Sequence, residues 1–430
     1  MARKPAVRLI VLAVLIAVVL PMAAVAATAE TSADTQRTPT LRLRIGGIFP
    51  LTGGLAAFGP SLSQSAVLAT REIRASLRRL RLANRMSVEI FREDGGTNAG
   101  ATTEAATKLV KSNRVQVLIG EMSSVATIPM AQSVAIPNQR VLIAPTVSAA
   151  SFSDLDDDGY VYRMVPPDYT TARALATAAA RAFGRRATLN VGARNDAFGT
   201  GLRNIFEQEW KRRGGQIGES VTWDPNAASL DTEAQRFAGG RPAGWVIIEF
   251  LPGLSKLVPP LIRSGAWDPA RTLGIEALRN AAELQRIGQG RLDGFRGVQI
   301  TSQGAPGRAA LDRRFGQASP DLPITGFEGT SFDAVMLSFL ASVRAKSTRP
   351  ALIKRHLRAV SAPPGRKYTF LQLDRAIRDL LAGREIDYEG ASGSVNWDGK
   401  GDPGPPWRYE YWRFQGDAVS TISIFPVTLE

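Results

Sequence analysis

The sequence predicts an α/β protein made of two doubly wound, parallel-sheet lobes that follow one another along the chain. Three observations lead there. Short apolar strands alternate with longer amphipathic helices, the pattern that builds a parallel sheet with helices on both faces. The alternation restarts near residue 170, giving two units of similar length. The 430-residue chain is also longer than one hydrophobic core usually supports.

Taken in order, residues 1–29 read as a secretory signal peptide. Arg3, Lys4 and Arg8 precede an uncharged stretch, Leu9 to Ala29, that is apolar to Leu20 and broken by Pro21. Ala24-Val25-Ala26 and Ala27-Thr28-Ala29 both fit the small-x-small cleavage rule. The competing reading is a retained anchor, since the uncharged stretch is just long enough to span a bilayer. Leu41–Phe49 then reads as a strand closed by Pro50 and the Gly53-Gly54 turn. The following helix carries Leu62, Ala66, Ala69, Ile73, Leu77 and Leu80 on one face. Met86–Phe91 is expected as a strand, Ala99–Lys111 as a helix and Val115–Ile119 as a strand. A helix opens near Ser123, and Val141–Ala144 is a fourth strand. In the second unit, Thr170–Phe183 and Gly199–Arg213 are helical. Ala187–Val191, Ile217–Trp223, Trp245–Ile248 and Thr272–Ile275 are strands. The Trp-Asp-Pro triplets at 223–225 and 267–269 read as turns.

Composition narrows the class. The chain has no cysteine, so an exported protein of this sequence rests on its core alone and has no lipid-attachment thiol. Loss of the leader removes three cations and lowers the formal charge from +14 to +11. Such a balance can signal nucleic acid or an anionic membrane, but the basic residues are scattered and 44 of the 53 are Arg. No nucleic-acid partner is expected. One stripe stands out, Arg71, Arg74, Arg78, Arg81 and Arg85, read as one helix face that is either solvated or a docking surface for a membrane partner.

Catalytic signals are sparse. The single histidine, His356, lies in the basic helical run Lys354 to Arg358, and no H-E-x-x-H, G-x-S-x-G, P-loop or G-x-G-x-x-G run occurs. Asp154-Leu155-Asp156-Asp157-Asp158-Gly159 matches the start of a calcium loop. The twelfth position, which must supply a bidentate carboxylate, is Val165. An acidic turn is the expectation, with no metal, no cofactor and no enzymatic activity.

Several segments together resemble the Leu/Ile/Val-binding family of periplasmic binding proteins, the substrate-binding proteins of ABC transporters. They begin with Ile45 to Gly53 (IGGIFPLTG) and Phe58-Gly59, then Gly120 to Pro129 (GEMSSVATIP) and Ala144 to Ser148 (APTVS). Tyr162 to Pro166 follows, then Asn195 to Gly199 (NDAFG) and Gly274-Ile275-Glu276. Tyr388 to Gly393 leads to Asn396 to Asp402 (NWDGKGD). The resemblance implies the type I fold, two lobes joined by a three-segment hinge. Lobe I holds 41–165 plus 300–408, and lobe II holds 166–299 plus 409–430. It also implies that late segments, Gly294–Ile300 and then Phe332–Val343, return to the first lobe.

The site is expected beyond the carboxyl ends of the strands. Ser123 and Ser124 follow one strand and open a helix, where they can meet a carboxylate or merely cap the helix. The resemblance gives Ser124 to the ligand carboxylate and lets Thr146 and Ser148 hold both ends of an amino-acid head group. It gives Glu276 to the ammonium, and Phe58, Phe198 and Phe327 to the apolar wall. Phe58, Phe198 and Leu251 stand where relatives place aromatic hydroxyls, which predicts a less polar pocket. Glu249 is a possible second acid in the cleft. The resulting expectation is a monomeric, periplasmic protein that carries an amino acid or analogue to the permease subunits of an ABC importer. A ligand sensor on the same fold is the alternative.

Overall fold

A computed structural model describes residues 40–279, 287–416 and 418–429, all within one compact unit, Thr38–Glu430. The signal peptide read at 1–29 lies outside the described residues. No helix among the described residues is long and apolar enough to cross a membrane.

The first half of the chain runs β1 (Leu41–Phe49), α1 (Gly59–Arg79), β2 (Met86–Asp94), α2 (Ala99–Lys111), β3 (Val117–Ile119), α3 (Ser124–Met130), β4 (Val141–Ala144) and β5 (Val161–Arg163). These strands form one parallel sheet in the order β2-β1-β3-β4-β5. Every residue of β3 and β4 is buried, as expected for a sheet covered on both faces.

The chain then enters α4 (Asp168–Phe183) and continues through β6 (Thr188–Arg194), α5 (Ala197–Arg212), β7 (Gln216–Trp223) and α6 (Asp231–Phe237). Next come β8 (Gly244–Ile248), α7 (Leu251–Arg263), β9 (Thr272–Gly274) and β10 (Arg296–Ile300). After Ile300 it passes through α8 (Arg308–Ala318), α9 (Glu328–Arg344), α10 (Pro350–Ser361) and α11 (Leu373–Leu381). A small parallel pair, β11 (Arg366–Tyr368) and β12 (Ile386–Tyr388), flanks α11. The chain ends on the hairpin β13 (Trp407–Gln415) and β14 (Ala418–Val427). The second sheet has the order β14-β13-β10-β9-β8-β6-β7. It is parallel from β7 to β10, and β13 joins β10 antiparallel.

Phe332–Val343 does return to the first sheet, because α9 packs on α1, β1 and β3. The Ser65 hydroxyl donates to the Glu328 carbonyl at 2.6 Å, fixing the start of α9 to α1. Gly294–Ile300 does not return. Its strand, β10, pairs with β9 and β13 in the second sheet, since the chain leaves that sheet only after Ile300. The last re-entry, at Trp407, falls two residues before Tyr409.

One other expectation changes. The arginine stripe does not occupy one helix face. Helix α1 stops at Arg79, and Arg81 takes a left-handed backbone, φ 57°, which breaks the helical register before Arg85. Arg74 is also not free, as its Nε donates to the Val88 carbonyl at 3.0 Å. The acidic run is a turn that binds its own backbone. Asp157 accepts from the amides of Gly159 and Val161 at 2.9 and 2.8 Å. Asp154 and Asp158 pair with Lys400 and Lys354 at 3.3 and 2.9 Å.

Candidate ligand-binding site

A cleft opens between the two sheets, with about 560 Å³ of space between its walls and mouth. Its lining follows the carboxyl ends of strands on both sides. Met122 and Ser124 come after β3, Thr146 and Ser148 after β4, Phe250 after β8 and Glu276 after β9. Parallel sheets place ligands at this edge because their loops and helix starts converge there.

The first-sheet side is neutral and rich in hydroxyls. Ser123 takes the cap position of α3, yet its side chain does not cap the helix. Its hydroxyl and amide both donate to Glu121 Oε2, at 2.6 and 2.8 Å, while the Thr97 amide donates to Glu121 Oε1 at 2.9 Å. Ser123 is therefore committed inside the protein. The Thr146 hydroxyl is likewise spent, donating to the Met122 carbonyl at 2.8 Å. Ser124 is freer: its Oγ accepts from the Ala149 amide at 3.3 Å, and its hydroxyl hydrogen has no acceptor among the described residues.

The second-sheet side carries the acid. Glu276 opens a 3-10 turn just beyond β9 and lines the cleft, while its Oε2 is shut from solvent without a hydrogen-bond partner among the described residues. Desolvation pushes its carboxyl up to about 7. Its own backbone amide opposes the rise and nearby Asp168 adds to it. Tyr409 and Thr171 also line the cleft, and the Tyr409 hydroxyl bonds Thr170 and Thr171 at 2.7 and 3.0 Å.

The apolar wall comes from both sides. Phe198 stacks on Phe250 with ring centroids 5.7 Å apart and planes 22° apart. Phe327 faces the cleft from the start of α9. Phe58 does not line the cleft; it sits behind Phe327, edge to face at 6.2 Å. The wall residue at the β8 end is Phe250, while Leu251 begins α7 and is buried in the core. Glu249 stays out of the cleft. It pairs with Arg194 at 3.0 Å and accepts from the Trp223 indole and the Phe250 amide. Burial pushes its carboxyl up, and those three contacts oppose the shift.

Residue patterns did not single out Phe250, Thr171, Asp168 or Tyr409. The only signal for Phe250 was the strand end beside it. Asp168, after two prolines, resembles any acid in a first helical turn.

The sequence profile of the periplasmic binding protein family matches residues 42–384. The chain belongs to the periplasmic binding protein family. Solved structures agree on the fold. A leucine-binding protein, LivK, from Thermotoga maritima superposes with a TM-score of 0.72 at 18% identity, covering 89% of this chain and 98% of that one. An ABC-transporter solute-binding protein from R. palustris in complex with benzoate gives 0.67 at 17% identity, covering 90% and 98%. This binding protein thus has the type I fold of ABC-transporter solute-binding proteins, whose ligands vary. A substrate-binding protein of a chemotactic signal transduction system, BasB of Halobacterium salinarum, is 24% identical over 285 residues. That match covers 65% of each chain, so the chain spans just under two thirds of that relative.

Proposed function

We propose that this is an exported solute-binding protein of an ABC importer that holds an amino acid or close analogue between two lobes, without enzymatic activity. Lobe I would hold 41–165 plus 300–408, and lobe II 166–299 plus 409–430. The leader at 1–29 would direct the protein to the periplasm, where it acts as a monomer that hands ligand to the permease. One observation carries the amino-acid reading: a cleft-lining carboxylate, Glu276, has an enclosed and unpartnered oxygen in the same cleft as the Ser124 hydroxyl. An ammonium satisfies the acid, and the available Ser124 hydroxyl suits a carboxylate. Phe198, Phe250 and Phe327 then pack an apolar side chain.

The test is a thermal-stability panel on the purified protein, containing branched-chain, aromatic and polar amino acids beside amine-free acids such as benzoate. A ligand at a hundred times its Kd adds about 2.7 kcal/mol. Stabilisation by an amino acid is expected. Stabilisation by benzoate alone would remove the ammonium role of Glu276. A second reading, a chemotactic ligand sensor, is favoured by the likeness to BasB. It keeps the same site and changes only the partner. Co-purification with an importer permease from detergent-solubilised membranes separates the two.

A further inference from the structure

A buried carboxylate stands behind the first-sheet wall of the cleft. Glu121 comes two residues after β3, is fully shut from solvent and does not itself line the cleft. Its Oε1 accepts from the Thr97 amide at 2.9 Å, and its Oε2 accepts from the amide and hydroxyl of Ser123 at 2.8 and 2.6 Å. Both oxygens are thus spent on donors from two different turns. A Cβ on Gly95 would lie 2.6 Å from Glu121 Cγ, so the turn between β2 and α2 is packed directly against this side chain.

Each bond leads on to the cleft. On one side, Thr97 takes a left-handed backbone, φ 54°, a costly conformation for a residue branched at Cβ. Its Oγ1 accepts from the Leu55 amide at 3.0 Å, and Leu55 lines the cleft. On the other side, Ser123 sets the start of α3, where Ser124 lines the cleft and accepts from the Ala149 amide at 3.3 Å. Met122, between Glu121 and Ser123, accepts from the Thr146 hydroxyl at 2.8 Å, which brings in the loop after β4. A connected frame therefore joins Leu55, Ser124 and Thr146 from three separate loops, and its two halves meet at Glu121. Backbone strain persists where the surroundings over-determine it, and such places cluster at functional sites.

A glutamate suits this junction for a chemical reason. A carboxylate accepts at both oxygens, whereas an amide side chain offers one acceptor and one donor group. Gln in its place would set an N–H group against either the Thr97 or the Ser123 amide.

We infer that Glu121 is a positioning residue for the binding site, clamping Thr97 and Ser123 so that Leu55 and Ser124 are held ready for the ligand. It touches no ligand. The clamp stands on the hydrogen bonds; its part in binding rests on the proposed reading of the cleft. A wall set in advance spares the ligand the cost of ordering it.

Amide hydrogen exchange on the empty, full-length protein tests the clamp. The informative amides are those of Leu55 and Ala149, which bond Thr97 and Ser124 rather than Glu121. In Glu121→Gln at least one of them should exchange about tenfold faster. Val246 in β8 and Thr52, whose amide bonds Asp94, should keep their wild-type rates. Faster exchange confined to Thr97 and Ser123, or spread evenly over the whole protein, overturns the positioning role. Glu121→Asp, too short to span both turns, is the second variant. If neither variant folds, Glu121 is a folding residue and the inference falls. Calorimetry with L-leucine, L-phenylalanine and benzoate then reads binding on the folded variants. Affinity for any of these that wild type binds should weaken about tenfold. The effect of Glu121→Gln should be non-additive with Ser124→Ala or Leu55→Ala, and additive with Phe250→Leu on the opposite wall. A merely structural role would lower the denaturation midpoint and leave affinity and coupling unmoved. If no probe binds wild type, the proposed function fails, while the exchange rates still decide the clamp.

Discussion

Two glutamates stand at the ends of neighbouring strands in the second sheet, and their surroundings differ in kind. Glu249 directly follows β8, and Glu276 follows β9 after one intervening residue. Burial pushes both carboxyls up. Glu249 answers that cost with a guanidinium, an indole N–H and a backbone amide. Glu276 leaves an enclosed oxygen bare and has a second acid nearby. A buried charge whose partners are all internal belongs to the fold, whereas one left without a partner is poised for something that arrives. In sequence the two look alike, Ile-Ile-Glu and Gly-Ile-Glu. The partners of Glu249, Arg194 and Trp223, come from distant parts of the chain.

The largest expected effect breaks the comparison at the cleft. Glu276→Gln keeps the side chain's size and removes its charge, leaving a desolvated ammonium without its counter-ion. Losing one partner of a buried pair costs about 3–5 kcal/mol, or roughly two to three and a half decades in Kd. Denaturant midpoints should hardly move, because no described residue bonds that oxygen. Calorimetry with the best amino acid from the panel decides it, and binding within about threefold of wild type would make Glu276 a bystander.

At Glu249 the same chemical change should have the reverse profile. Glu249→Gln strips Arg194 of one of its two carboxylates; the other, Asp196, remains bonded to its guanidinium. The loss should therefore sit near the lower end of the range for broken buried pairs, about 3 kcal/mol of folding stability. Ligand affinity should change far less. A variant as stable as wild type but unable to bind would exchange the roles assigned to the two acids.

Much of this arrangement was legible in the sequence. Helix α2 and strand β4 begin and end where periodicity and flanking residues placed them, because Asn98 and Pro145 mark boundaries that local chemistry enforces. Ser124, Thr146, Ser148, Phe198, Glu276 and Phe327 do meet at one cleft. Positions set by long-range packing were harder. Phe58 sits one ring behind the wall, and Phe250 rather than Leu251 reaches the cleft, because the direction of a loop side chain depends on what it packs against. For Ser123 the obstacle was a hydrogen bond. A serine at a helix start reads as a cap or a ligand donor, and only the fold brings Glu121 within its reach. The antiparallel hairpin at the C-terminus likewise carries no local mark of which strand it will join.

The smallest predicted effect joins the two glutamates. Arg194 lies over the Phe250 ring, 3.8 Å from its centroid, and Phe250 stacks on Phe198. The Glu249 pair therefore stiffens the aromatic wall of the cleft. Phe250→Leu keeps an apolar surface but removes the ring contacts, each worth about 0.5–1.5 kcal/mol. Affinity for a large apolar amino acid should weaken by about 1 kcal/mol, roughly fivefold. Combining the change with Glu249→Gln should cost less than the sum of the two, because both act through Arg194. Combining it with Glu276→Gln should add, since in the proposed site those side chains would grip different ends of the ligand. Double-mutant cycles read by calorimetry and denaturation measure both couplings. Strict additivity between Glu249→Gln and Phe250→Leu would show that the structural acid has no hold on the binding wall.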